Sequence, residues 1–249
     1  MARRKLILDI RYFESSHENV DGMGLPNALG RLYPFPRSIH ALGARIARKL
    51  REYGYTTGDF DHLYINFTTL LKEHQFRLSP RIPEAWLRYV DYGVDPKTVR
   101  RMRERGREEF VANCTFRVLR FLSRGDAAQR RLIEAVRREL DSAGSEMEIL
   151  HKVKETATYR VVVTYQIQPR GGESVGWIEY HDKRKGVRNK KPFVELRFYE
   201  DIYPLVGSIA VSGGTIRLTP RGSFKASLDT KRYRVPFAIP ISDLVGVKR

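Results

Sequence analysis

The sequence predicts an α+β protein: an N-terminal strand-helix-strand unit, a helical middle and a C-terminal antiparallel sheet of about five strands. Three patterns carry that expectation. Tyr159, Val161, Val163, Tyr165 and Ile167 alternate with polar residues, broken only by Val162, which is the period of a strand with one buried face. Ile39, Leu42, Ile46, Leu50 and Tyr53 recur at spacings of three and four, the period of an amphipathic helix. Ser212-Gly213-Gly214-Thr215 reads as a two-residue hairpin, because glycines accept the positive φ angles of a primed turn.

Taken in order, Leu6, Leu8, Ile10 and Tyr12 share one side of an opening strand, with Ile7, Asp9, Arg11 and Phe13 on the other. Glu14 to Arg37 is loop-like, punctuated by Gly22, Gly24, Pro26, Gly30, Pro34 and Pro36. A loop of that length is a candidate functional loop. The helix that follows takes Ser38 as its N-cap and Gly54 as its stop, with Arg45, Arg48, Lys49 and Arg51 away from the apolar stripe. Leu63, Ile65 and Phe67 then alternate in a second strand. Strand, helix, strand implies a crossover with the two strands as parallel neighbours. Trp86 to Tyr92 reads as a third.

From Asp95-Pro96, a cap and first-turn pair, the period turns helical through Val99, Met102, Phe110, Val111, Cys114, Val118 and Phe121. Gly106 is placed to divide it. A further helix starts at Gly125-Asp126, with Leu132, Val136 and Leu140 inward. Beyond it lie the strand at Tyr159, another over Val175 to His181, and one through Val194, Leu196 and Phe198. In the glycine hairpin, pairing Ser212 with Thr215 puts Val211 opposite Ile216 and Ile209 opposite Leu218. The tail from Val235, with Pro236 and Pro240, is expected to form an irregular edge. These patterns divide the chain into a mixed part over 1–94, a helical part over 95–145 and an antiparallel part over 146–249, all compatible with one globular body.

Lys plus Arg outnumber Asp plus Glu by 46 to 29, a formal net charge of +17 and a pI near 10.1. A surplus of that size creates a field felt over about a Debye length, ~8 to 10 Å, and favours an anionic partner. Cys114 is the only cysteine, which excludes an internal disulfide and a cysteine-rich zinc site and suits a reducing, cytoplasmic setting. The longest apolar runs fall well short of the ~18 residues of a membrane span, and Leu6 to Ile10 is too short for an export signal. No membrane partner and no cofactor is expected.

Two basic segments are the candidate nucleic-acid-binding residues. Arg100, Arg101, Arg103, Arg105 and Arg107 crowd one helical segment, where the planar guanidinium fork suits phosphate. Lys183, Arg184, Lys185, Arg188, Lys190 and Lys191 lie on a hairpin finger from Asp182 to Lys191, flanked by Trp177, Tyr180, Phe193 and Tyr199 as possible stacking groups. The competing reading of each is a solvated face balanced by nearby carboxylates.

Catalytic signatures are sparse. Asp182 and Glu195-Leu196-Arg197 loosely follow a metal-nuclease pattern, but arginine stands where a titratable lysine belongs. Asp9 with Arg11, and Asp59 with Asp61 and His62, are candidates for an acid/base cluster at strand ends. His17, His40, His62, His74, His151 and His181 show no paired metal spacing, and Gly22-Met23-Gly24 lacks the ending of a phosphate loop. The expectation is a non-enzymatic protein binding a polyanion, most naturally a DNA or RNA backbone. The alternatives are a protein-binding inhibitor, such as a bacterial toxin-neutralising immunity protein with an acidic partner, and a metal-dependent nuclease or other phosphate-handling enzyme.

Overall fold

The apolar alternations fold as two sets of sheets in the computed structural model, which describes residues 4–16, 25–169 and 171–244. The chain divides into two compact units, Met1–Met147 and Glu148–Arg249. The helical middle therefore belongs with the N-terminal strands. Gly22, Met23, Gly24 and His17 lie outside the described residues.

In the first unit the elements run β1 (Lys5–Leu6), β2 (Asp9–Ser15), β3 (Asn27–Ala28), α1 (Ser38–Glu52), β4 (Thr56–Gly58), β5 (His62–Thr68), β6 (Phe76–Leu78) and β7 (Leu87–Gly93). Then come α2 (Pro96–Arg101), α3 (Glu104–Leu122) and α4 (Ala127–Ala143). A five-stranded sheet has the order β3-β2-β5-β7-β6, with β2, β5 and β7 parallel and the outer two strands antiparallel. β2 and β5 are the parallel neighbours that the strand-helix-strand pattern requires, Ile10 lying opposite Leu63 and Tyr12 opposite Ile65.

Helix α1 buries Ile39, Leu42, Ile46 and Leu50, apolar side chains each worth about 1.5 to 3 kcal/mol when removed from water. It lies so close to β2 that a Cβ on Gly43 would sit 2.4 Å from the Ile10 carbonyl oxygen. Only glycine fits that contact. Gly54, at φ +82°, ends the helix as expected.

Ser38 does not cap α1. Arg37 holds the N-cap position without a side-chain bond, and Ser38 Oγ instead donates to Glu108 Oε2 at 3.0 Å. Arg45 and Lys49 also depart from expectation, being buried rather than solvated. The reason is that α3 and α4 cover that side of α1 and supply carboxylates: Arg45 Nη2 lies 3.2 Å from Glu108 Oε1, and Lys49 Nζ 3.1 Å from Glu139 Oε2. Asp95 and Asp126 do cap α2 and α4, accepting from the backbone N–H groups of Lys97 and Gln129.

The second unit continues with β8 (Glu148–Glu155), β9 (Tyr159–Gln166), β10 (Ser174–Asp182), β11 (Val187–Leu196), α5 (Ile202–Leu205), β12 (Ser208–Ser212), β13 (Thr215–Thr219), α6 (Phe224–Asp229) and β14 (Phe237–Pro240). Its strands divide between two antiparallel sheets, β11-β10-β9-β8 and β12-β13-β14, instead of forming one sheet of about five. The glycine turn sets the register its pattern demands, with Ser212 opposite Thr215, Val211 opposite Ile216 and Ile209 opposite Leu218. The proline-bearing tail is an edge strand, β14. Among the described residues no helix is long and apolar enough to cross a membrane.

Candidate polyanion interface

The arginine-rich segment is two helices, not one. Met102 (ψ 143°) and Arg103 (ψ 157°) are extended and turn the chain between α2 and α3, so the break precedes Gly106. In a continuous helix Arg100, Arg103 and Arg107 would stack three and four apart, where like charges repel. The turn interrupts that stack.

Arg107 is what holds the turn. Its guanidinium donates to the carbonyl oxygens of Val99 at 3.1 Å, Arg100 at 3.3 Å and Pro34 at 2.8 Å. It thereby adds a second bond to the Val99 carbonyl, which already accepts from Met102 N–H, takes the Arg100 carbonyl at the end of α2, and pins the loop before α1 to the same point. Arg107 is a structural clamp. The other four differ: Arg100, Arg101, Arg103 and Arg105 are exposed, and among the described residues their side chains have neither an ion-pair partner nor a hydrogen bond. The start of α3 beside them has no side-chain cap, and Glu104 in its first turn is the acidic residue set against its partial positive charge.

The finger folds back on its own sheet. Its turn is confined to residues 183–186, with Gly186 at φ +65°, and β11 already begins at Val187. Arg188, Lys190 and Lys191 are therefore strand residues. Arg188 makes a two-pronged pair with Glu179 on β10, at 2.6 and 2.9 Å. Lys190 bonds Glu148 on β8 while lying over the Trp177 ring, 5.0 Å from its centre. Lys183 meets Glu155 at 2.7 Å, and Lys191 meets Asp243 at 3.2 Å. Arg184 and Lys185, at the tip, are exposed and have no ion pair among the described residues; Asp182 accepts from their backbone N–H groups instead. Exposed pairs of this kind are worth ~0 to 1 kcal/mol, so a phosphate can displace a carboxylate from them at small cost.

The flanking aromatic groups form no common platform. Tyr180 is buried and stacks on Tyr159, Tyr199 stacks on Tyr165, and Phe193 packs on Phe237.

The carboxylates weighed for catalysis are likewise separated. Asp182 lies opposite Val187 near the hairpin tip and Glu195 opposite Val175 near its base. At about 3.3 Å per residue they are roughly 25 Å apart along the strands, too far to share a metal ion. Asp9, Arg11, Asp61 and His62 do gather, since Asp9 is the register partner of His62. Each is paired locally: Arg11 with Asp9 and His62 with Asp61, both at 2.6 Å, while Asp59 takes Arg88 at 2.7 Å. They sit at the amino ends of the parallel strands, opposite the carboxyl ends where α/β sites form. Among the described residues no group of three or more His, Cys, Asp or Glu side chains is placed to hold a metal.

At those carboxyl ends the structure holds a polar network that periodicity alone does not reveal. Glu14 accepts four backbone hydrogen bonds, from Gly30, Arg31, Leu32 and Tyr33, at 2.8 to 3.1 Å. The loop after β3 is wrapped around that carboxylate. On the other sheet face Asn66 donates to Ser15 and Asp91, Ser15 donates to Thr68, and Arg81 bonds Asp91 at 2.8 Å. All are buried. Asn66 and Thr68 occupy polar positions of the β5 alternation, which was their only signal, and Asp91 shares its face of β7 with Leu87 and Tyr89 and had none. Burial pushes the Cys114 thiol up to about 12, so it is no nucleophile.

Comparison of the chain with protein-family models, with curated proteins and with solved structures finds no match.

Proposed function

We propose that this is a non-enzymatic binding protein that holds a polyanion, nucleic acid backbone before others, against the corner between α2 and α3. The observation that carries the proposal is the contrast in pairing. Arg100, Arg101, Arg103 and Arg105 are exposed at that corner and have no ion-pair partner among the described residues, whereas four of the six finger cations are matched to Glu148, Glu155, Glu179 and Asp243. Unpaired guanidinium groups meet phosphate without first breaking an ion pair, and each can grip it with two parallel bonds. A single buried thiol suits a reducing setting such as the cytoplasm.

Backbone contacts release counterions, so affinity should fall steeply with salt. Four phosphate contacts on duplex DNA imply a loss of about a hundredfold between 50 and 200 mM salt. Fluorescence anisotropy with labelled duplex and single-stranded DNA and RNA over that range is the test. No complex with any of them at the low-salt end removes the proposal. Tight, salt-tolerant binding of an acidic protein in their place would favour the toxin-neutralising inhibitor.

A further inference from the structure

Within the second unit β11 and β14 are each the outer strand of a sheet, and an open cleft of about 350 Å3 is lined by residues of both. Phe193 and Phe237 meet there, their rings 5.2 Å apart and nearly perpendicular. Phe193 is the extra residue of a bulge, since Gly176 pairs with Val194 and Trp177 with Pro192. A bulge re-aims a side chain, and here it supplies apolar floor.

The wall formed by β14 offers free backbone groups. Thr215 is the register partner of Pro240, and Ile241 N donates to the Gly214 carbonyl oxygen at 2.8 Å. By the alternation of an antiparallel ladder, Phe237 and Ile239 spend their backbone groups on β13, while the N–H and C=O of Ala238 point away from it. Ala238 is exposed and lines the cleft.

The charge of the lining is also one-sided. Lys191 and Arg234 border it, and its one carboxylate, Asp243, is already bonded to Lys191. Arg234 is exposed and has no ion-pair partner among the described residues.

We propose that this cleft binds an extended acidic segment of a partner protein. The segment adds to β14 at Ala238, rests an apolar side chain on Phe193 and Phe237, and places carboxylates against Lys191 and Arg234. A peptide is the fitting occupant because its backbone carries both the acceptor that Ala238 N–H needs and the donor that Ala238 C=O needs. A nucleic acid backbone has no N–H to give. A second copy of this chain is opposed by its net charge of +17.

The test uses the full chain and a fluorescein-labelled peptide of alternating glutamate and valine, with a lysine-valine counterpart, followed by anisotropy at about 50 mM salt. Saturable binding of the acidic peptide alone is expected, weakened by about tenfold or more in Ala238→Pro and in Arg234→Glu. Ala238→Pro deletes an N–H that the sheet does not use, and an unchanged circular dichroism spectrum would certify its fold. Should that variant misfold, Arg234→Glu at an exposed position carries the decision. No anisotropy change up to about 1 mM protein, or equal binding by wild type and a folded variant, overturns the proposal. Competition by nucleic acid that Arg234→Glu abolishes and Ala238→Pro leaves intact would overturn it too, by making the cleft a phosphate site.

Discussion

Arg81 Nη1 lies 2.8 Å from Asp91 Oδ1, and both side chains are only 2% exposed. Removing one partner of such a pair leaves a charge in low dielectric, which costs about 3 to 5 kcal/mol, whereas replacing both by apolar groups is often close to neutral. Asp91→Ala is therefore expected to lower stability by that amount in urea unfolding. Arg81→Met combined with Asp91→Leu should recover a large part of the loss. A single variant as stable as wild type would mean that the pair is solvated.

Two glycines in helices should respond in opposite directions. Gly43→Ala drives a methyl to within 2.4 Å of the Ile10 carbonyl oxygen, an overpacking expected to cost about 1 to 3 kcal/mol. Gly106 on α3 has only Met102 Cβ, at 4.0 Å, near its absent methyl. Gly106→Ala should stabilise by about 0.5 to 1 kcal/mol through helix propensity. The paired unfolding midpoints check both.

Strand pairing and helix faces were legible in the sequence because they rest on local periodicity. The register of the glycine hairpin, the parallel pairing of β2 with β5, and the caps at Asp95 and Asp126 all follow from a few neighbouring residues. What sequence could not supply was the long-range partner of each charge. Arg45 and Lys49 read as solvated because Glu108 and Glu139, the partly exposed carboxylates that pair with them, lie 63 and 90 positions further on. Arg188 and Lys190 read as loop residues because only the fold brings Glu179 and Glu148 beside them. Arg107 looked like its neighbours, although its guanidinium ties together three carbonyl oxygens.

Mild acid should weaken the fold through histidine. Burial lowers the pKa of His151 below its ordinary 6.5, and Lys152 and Arg221 push the same way, against the bond between its Nε2 and the Val206 carbonyl oxygen at 2.9 Å. His40 is lowered by burial and by Arg11. Groups with depressed folded values take up protons first in the unfolded chain, so stability is present above about pH 6.5 and is lost as pH falls below it. Urea midpoints measured downward from pH 7 should decline, and His151→Gln should flatten the decline. An unchanged slope in that variant would remove His151 as the cause.

Cys114 should be silent in the folded protein. With its thiol held up near 12 by burial, it presents almost no thiolate to a disulfide reagent at neutral pH. Labelling should proceed only on unfolding, at the rate of unfolding. Immediate labelling of the native protein would show that α3 is accessible at this position.

The most direct measurement is the slope of log affinity against log salt for a labelled duplex, compared between wild type and the chain with Arg100, Arg101, Arg103 and Arg105 all replaced by serine. Loss of four phosphate contacts should make that slope shallower by about 3 to 4, whereas Arg188→Ser, which removes a cation already held by Glu179, should change it by less than about 1. An unaltered slope in the fourfold variant, with binding retained, would contradict the assignment of the polyanion to the corner between α2 and α3.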